Sequence, residues 1–157
     1  MAVSPQRGVE HHQFRVGGTS NAVFSTFFNE LASIVGHENR SFFILDNATC
    51  HKNIAPASES HTVKYLPPYS PFLTPVENSF SAWKWKIKHD LAEIQNSFSD
   101  REEAREHGMN LMQWRRHLLI TAGESALSTI TAQKCMNWEQ HCLSYFPKCF
   151  EKSDILM

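Results

Sequence analysis

The residues best suited to chemistry are two carboxylates, Asp46 and Glu77. Asp46 ends the apolar run Phe42-Phe43-Ile44-Leu45 and is followed by Asn47 and, shortly after, by His51. Glu77 comes after LPPYSPFLTPVEN (residues 66–78), a stretch that holds Pro67, Pro68, Pro71 and Pro75, four of the chain's seven prolines. Each acid has an ordinary reading beside a chemical one. Asp46 is either a solvated residue at a strand end or a carboxylate at a strand tip, where open α/β sheets place their sites. Glu77 either closes a capping box opened by Thr74, with Pro75 at the first helical position, or is a carboxylate wanted at that place. As a pair they suggest more. Two carboxylates held at one sheet edge repel each other unless a cation lies between them, and their oxygens suit hard Mg²⁺ or Mn²⁺.

The elements that must position them follow from pattern. Phe42–Leu45 predicts a strand buried on both faces, and Thr62-Val63-Lys64-Tyr65-Leu66 a second short strand; parallel pairing of the two would bring both acids to one edge. A poorly defined stretch around Pro56 joins them. The prolines fix φ and restrain their predecessors, which predicts an extended arm that delivers the next helix to one place. That helix carries Val76, Phe80, Trp83, Ile87, Leu91 and Ile94 on one side. Lys84, Lys86, Lys88 and His89, interleaved with Trp83 and Trp85, form either a phosphate-contacting patch or a solvated face.

Upstream, Ala2-Val3, a turn at Ser4–Gly8 and a second arm to Val16 predict a hairpin with an exposed His11-His12 pair. Thr19 or Ser20 caps a helix with Val23, Phe24, Phe27, Phe28, Leu31, Ile34 and Val35 at helical spacing. Beyond residue 96 everything reads as helix, with a capping box from Ser99 to Glu102 and Trp114, Leu118, Trp138 and Tyr145 as core. The expected division is therefore a core over 1–95 and a helical extension over 96–157 packed on it.

Composition limits the alternatives. A chain of 157 residues, 41% hydrophobic, can fill one ordinary core. A net charge of −1 gives no global field toward nucleic acid, so any such contact must be local. No run is long enough to span a membrane, and the first residues lack the layout of a secretory signal, so an intracellular protein is expected. Cys50, Cys135, Cys142 and Cys149 contain no CxxC pair; the last three are spaced to lie near one side of a helix, which favours reduced thiols.

ILDNATCH (44–51) followed by YLPPYSPFLTPVENSFSAWK (65–84) resembles the second and third acidic motifs of DDE transposases of the Tc/mariner superfamily, which have a ribonuclease H-like core. Thr74 stands where the family has Asn, and Val76 where it has Ile. The interval between the two acids is short for the family, so the intervening helix is expected to be trimmed. The resemblance implies an α/β fold, a partial ribonuclease H-like core followed by a helical C-terminal tail. It also implies two-metal phosphodiester chemistry in the nucleus, in which three carboxylates hold two Mg²⁺ or Mn²⁺ ions during cleavage and strand transfer of DNA. Asp46 would be the second carboxylate and Glu77 the third, with Asn47, His51, Lys84, Lys86 and Lys88 toward nucleic acid.

The first carboxylate has no counterpart. No Asp precedes Asp46, and the earlier acids Glu10, Glu30 and Glu38 do not match its motif. The expectation is a truncated or decayed copy with a sheet cut in half. Its Phe42–Leu45 edge would be open and its hairpin without a native neighbour, ready to pair with a full-length copy or another protomer. Three functions are carried forward: a metal-dependent DNA strand-transfer enzyme, a transposase-derived module that touches nucleic acid without cutting it, and a non-functional remnant or bare interaction domain.

Overall fold

The computed structural model describes residues 1–38, 40–55 and 58–151; the stretch at Pro56 lies outside these. The chain forms two compact units, residues 1–77 with the segment from Ala132 onward, and Asn78–Thr131. The change at residue 96 is thus one of sequence character, since every described element beyond it is helical.

In the first unit, β1 (Ala2–Ser4) and β2 (Gly8–His11) form an antiparallel hairpin. The second arm stops at His11, not Val16, because a first arm of three residues offers no ladder partner beyond Ala2↔His11. The hairpin has neighbours after all. It contacts α1 (Asn21–Val35) through β2 and α5 (Ala132–Leu143) through both strands. His11 is correspondingly not an exposed strand residue: its ring stacks on Phe27 at 4.7 Å and its Nε2 lies 3.0 Å from Glu30 Oε2.

Ser20 caps α1, its side chain accepting the Val23 N–H, and Gly36 ends it at φ 75°, a left-handed conformation that costs glycine little. The helix buries Phe28, Leu31 and Ala32. Phe28 meets Phe43 edge-on at 4.9 Å, so α1 covers one face of β3 (Ser41–Leu45). The other face is not covered. Phe42 is 60% and Ile44 50% exposed, which corrects the expectation of a strand buried on both sides. A strand buried on both faces needs a layer on each, and among the described residues β3 has α1 on one face.

β3 pairs in parallel with β4 (His61–Tyr65), in register from Ser41↔His61 to Leu45↔Tyr65. The crossover between them contains a 3₁₀ turn, Thr49–His51, and no α-helix among its described residues, as the short interval predicts. These strands form a two-stranded sheet separate from the hairpin.

The helix α2 (Val76–Glu93) begins in the first unit and continues into the second. Its Trp83 Nε1 donates to Gly123 O at 2.9 Å, on α4 (Leu111–Leu127). Trp114 on α4 is buried and donates to Ser97 O at 3.0 Å. Asp100, not Ser99, caps α3 (Arg101–Glu106): its carboxylate accepts the N–H groups of both Glu102 and Glu103. A carboxylate competes well for that position because its charge suits the positive helix end.

Trp114 and Leu118 lie in the second unit, and Trp138 and Tyr145 in the first. The cysteines divide as well. Cys135 and Cys142 are buried on α5, whereas Cys149 is exposed on α6 (Phe146–Glu151), beyond the break that ends α5. All four are free thiols.

Candidate active site

The parallel register carries the chain past Leu45 and Tyr65 at the same level. Leu66 N–H continues the ladder by donating to Leu45 O at 2.8 Å, so that Asp46 and Leu66, the next residue on each strand, stand at the C-terminal edge. Asn47 then turns back across the edge and donates its side-chain amide to Leu66 O. The strand tip and the start of the proline segment are therefore tied together by backbone and side chain.

Asp46 is half exposed, and its Oδ1 is doubly occupied. It accepts the Ala48 N–H at 3.0 Å, and His51 Nδ1 lies 2.5 Å away. An ionised carboxylate only accepts hydrogen bonds, so His51 Nδ1 carries the proton. His51 is itself held on every side that the turn allows. Its ring packs on Phe24 at 4.0 Å, and its carbonyl accepts the Tyr65 hydroxyl at 2.8 Å. Asn21, at the first position of α1, donates to the carbonyls of Cys50 and Lys52 at 3.0 and 2.8 Å. This anchoring by Asn21 and Tyr65 was not legible in the sequence, because it joins residues with no local pattern between them.

The proline segment is not one extended arm. Tyr69 takes a positive φ of 58°, and Pro71–Leu73 form a 3₁₀ turn closed by Thr74 N–H on Pro71 O at 3.3 Å. Fixed φ angles stiffen the segment, but φ near −65° fits a turn as well as an extended strand. The bend has a consequence. Pro67, Pro68 and Pro71 of the bent segment wall an open cleft of about 250 Å³ that Asp46, Asn47, Thr74 and Glu77 also line. Thr74 is buried, and α2 starts at Val76, one residue later than predicted, with Glu77 exposed in its first turn.

The two carboxylates thus share one cleft, together with Asn47. His51 reaches it only through Asp46. Lys84, Lys86 and Lys88 belong to the second unit. Lys84 and Lys88 are exposed, with the Lys84 ammonium 5.8 Å from the centre of the Phe80 ring, while Lys86 is committed to an ion pair with Asp90. Trp85, between them, is 67% exposed.

A family model described as DDE superfamily endonuclease matches residues 1–104. The chain belongs to this family. No curated protein and no solved structure matches it. The match spans the hairpin, the β3–β4 sheet and α2, hence every residue of the cleft.

Membership raises the question of how well the cleft suits the divalent cations of DDE chemistry. Asp46 and Glu77 are the only carboxylates among its described lining residues. Glu10 is bonded to Ser4 and Arg7, Glu30 to His11 and Gln13, and Glu38 is exposed after α1; none lines the cleft. Two acids lining one cleft, with Asp46 Oδ2 uncommitted among the described contacts, offer oxygen ligands of the kind a hard divalent cation takes. They do not make up a set of three carboxylates.

Proposed function

We propose that the chain is a transposase-derived DDE domain of the Tc/mariner type, acting on DNA in the nucleus, whose cleft takes one Mg²⁺ or Mn²⁺ between Asp46 and Glu77. The observation that carries this reading is the placement of both carboxylates on one cleft at the C-terminal edge of a parallel pair of strands.

The roles of the residues follow from their contacts. Asp46 would offer Oδ2, since Oδ1 accepts two N–H groups. His51 holds the proton at Nδ1 and fixes the carboxylate's rotation, and Phe24 and Tyr65 fix His51 in turn. Glu77 meets the cleft from the first turn of α2. A bound Mg²⁺ or Mn²⁺ would supply Lewis acidity at a phosphate oxygen. Lys84 and Lys88, exposed beside Trp85, suit a DNA backbone and a stacked base.

The count of two carboxylates supports a second reading, in which the domain binds cation and DNA without cutting. Both readings are tested by nicking of supercoiled plasmid with Mn²⁺, beside Mn²⁺ binding followed by electron paramagnetic resonance. Nicking that disappears in Asp46→Asn and Glu77→Gln supports catalysis. Binding of Mn²⁺ without nicking supports the second reading, and absence of Mn²⁺ binding contradicts both.

A further inference from the structure

At the N-terminal end of the same strands, away from the cleft, His61 presents an anomaly. It is the first residue of β4, is only 3% exposed, and has no hydrogen-bond partner on either Nδ1 or Nε2 among the described residues. A buried imidazole always carries at least one N–H, and leaving it unpaired is costly, so such groups call for an explanation. Phe43 closes one side of the ring edge-on at 5.3 Å. On another side stands His37, just past the Gly36 stop of α1, with its ring centre 5.3 Å from that of His61 and the planes 39° apart.

We propose that His37 and His61 form a binding site for a borderline transition-metal ion of the Zn²⁺ class, clamping the end of α1 to the start of β4. The spacing is what such an ion requires: two imidazoles bound to one tetrahedral Zn²⁺ through nitrogens at about 2.0–2.1 Å have ring centres about 5 Å apart. The donor chemistry also fits. His37 Nδ1 is 3.1 Å from Ser58 Oγ, which in turn meets Ser60 Oγ at 2.6 Å. With Nδ1–H donating to Ser58, His37 Nε2 keeps its lone pair, the arrangement that orients and strengthens a histidine ligand. A metal bond would satisfy one nitrogen of His61 that has no partner among the described residues, and the exposure of His37 gives the ion and its remaining water ligands a way in. Imidazole pairs select Zn²⁺, Cu²⁺ or Ni²⁺ over Mg²⁺, so this site is chemically separate from the carboxylate cleft.

The test is calorimetric titration of the full chain with Zn²⁺, repeated with Co²⁺ to read ligand-field absorption. Expected is near-stoichiometric Zn²⁺ binding that raises the melting temperature, weakened at least tenfold in His37→Ala, an exposed position whose loss leaves the core intact, and likewise in His61→Phe. His89→Ala is the control, because His89, Asp90 and Glu93 bring ligand atoms within 4.8 Å of one another on exposed α2. Zn²⁺ affinity that is unchanged in His37→Ala, or lost instead in His89→Ala, overturns the proposal, as does absence of Zn²⁺ binding. Asp46→Asn leaves the Zn²⁺ titration unchanged if the site is the one described, whatever becomes of Mn²⁺ binding at the cleft.

Discussion

Asp46 and His51 meet at the tip of β3 through Oδ1 and Nδ1, 2.5 Å apart, and the Ala48 N–H closes on the same oxygen at 3.0 Å. One turn of chain thereby fixes a carboxylate with one oxygen spent and the other available. Pre-orientation of this kind reduces the ordering needed when a cation arrives. It also makes His51 a positioning residue, acting through Asp46.

Removing His51 should therefore weaken the cleft's cation without abolishing it. His51→Ala is expected to lower Mn²⁺ affinity about tenfold, the lower end of what lost orienting partners cost. His51→Asn, which keeps a donor, should recover part of the loss. Equal Mn²⁺ affinity in His51→Ala and the parent chain would show that the contact positions nothing.

The lysines of α2 should not be equivalent. Lys84 and Lys88 are exposed, whereas the Lys86 ammonium is paired with Asp90. Each of Lys84→Ala and Lys88→Ala is expected to reduce the slope of log K against log salt for duplex DNA by about 0.9, the value of one released counterion. Lys86→Ala should change it less. A larger effect from Lys86, or salt-independent binding, would contradict the assignment.

Stability of the first unit should hinge on Phe28, almost fully buried on α1 against Phe43 of β3. Phe28→Ala is expected to cost about 3–5 kcal/mol in denaturant unfolding. Phe42→Ala, on the uncovered face, should cost far less. Comparable losses at both positions would mean that the face carrying Phe42 is covered.

The thiols should separate by reactivity and pH. Burial pushes the Cys142 thiol up, with a smaller push from Glu139 and a backbone hydrogen bond pulling the other way. Exposed Cys149 should be alkylated first, and buried Cys135 and Cys142 only on unfolding. Because the folded pKa of Cys142 lies above the unfolded one, its contribution is pH-independent below about 8.5, the unfolded thiol value, and stability falls as pH rises through it. Cys142→Ala should flatten that alkaline decline. A decline of unchanged slope would assign it elsewhere.

The parts of the site that were legible in the sequence depend on contiguous pattern. An apolar run ending in Asp-Asn, a second β-rich run and a proline segment ending in Glu are local signals, and they led to a parallel pair and the DDE family. The illegible parts depend on what covers what. Alternation of exposure along Phe42–Leu45 reflects a single covering helix, which an unbroken apolar run cannot reveal. The bend of the proline segment turns on Tyr69 at positive φ, a choice that no fixed proline angle dictates. The roles of Asn21, Tyr65 and Glu30 come from contacts between elements distant in sequence.

The most direct test of the central claim is a double-mutant cycle of Mn²⁺ binding over Asp46→Asn and Glu77→Gln. If one ion bridges both acids, each single change lowers affinity at least tenfold, and the double variant loses markedly less than the product of the two. Undiminished affinity in either single variant, or fully independent effects, would show that the two carboxylates do not hold a common ion.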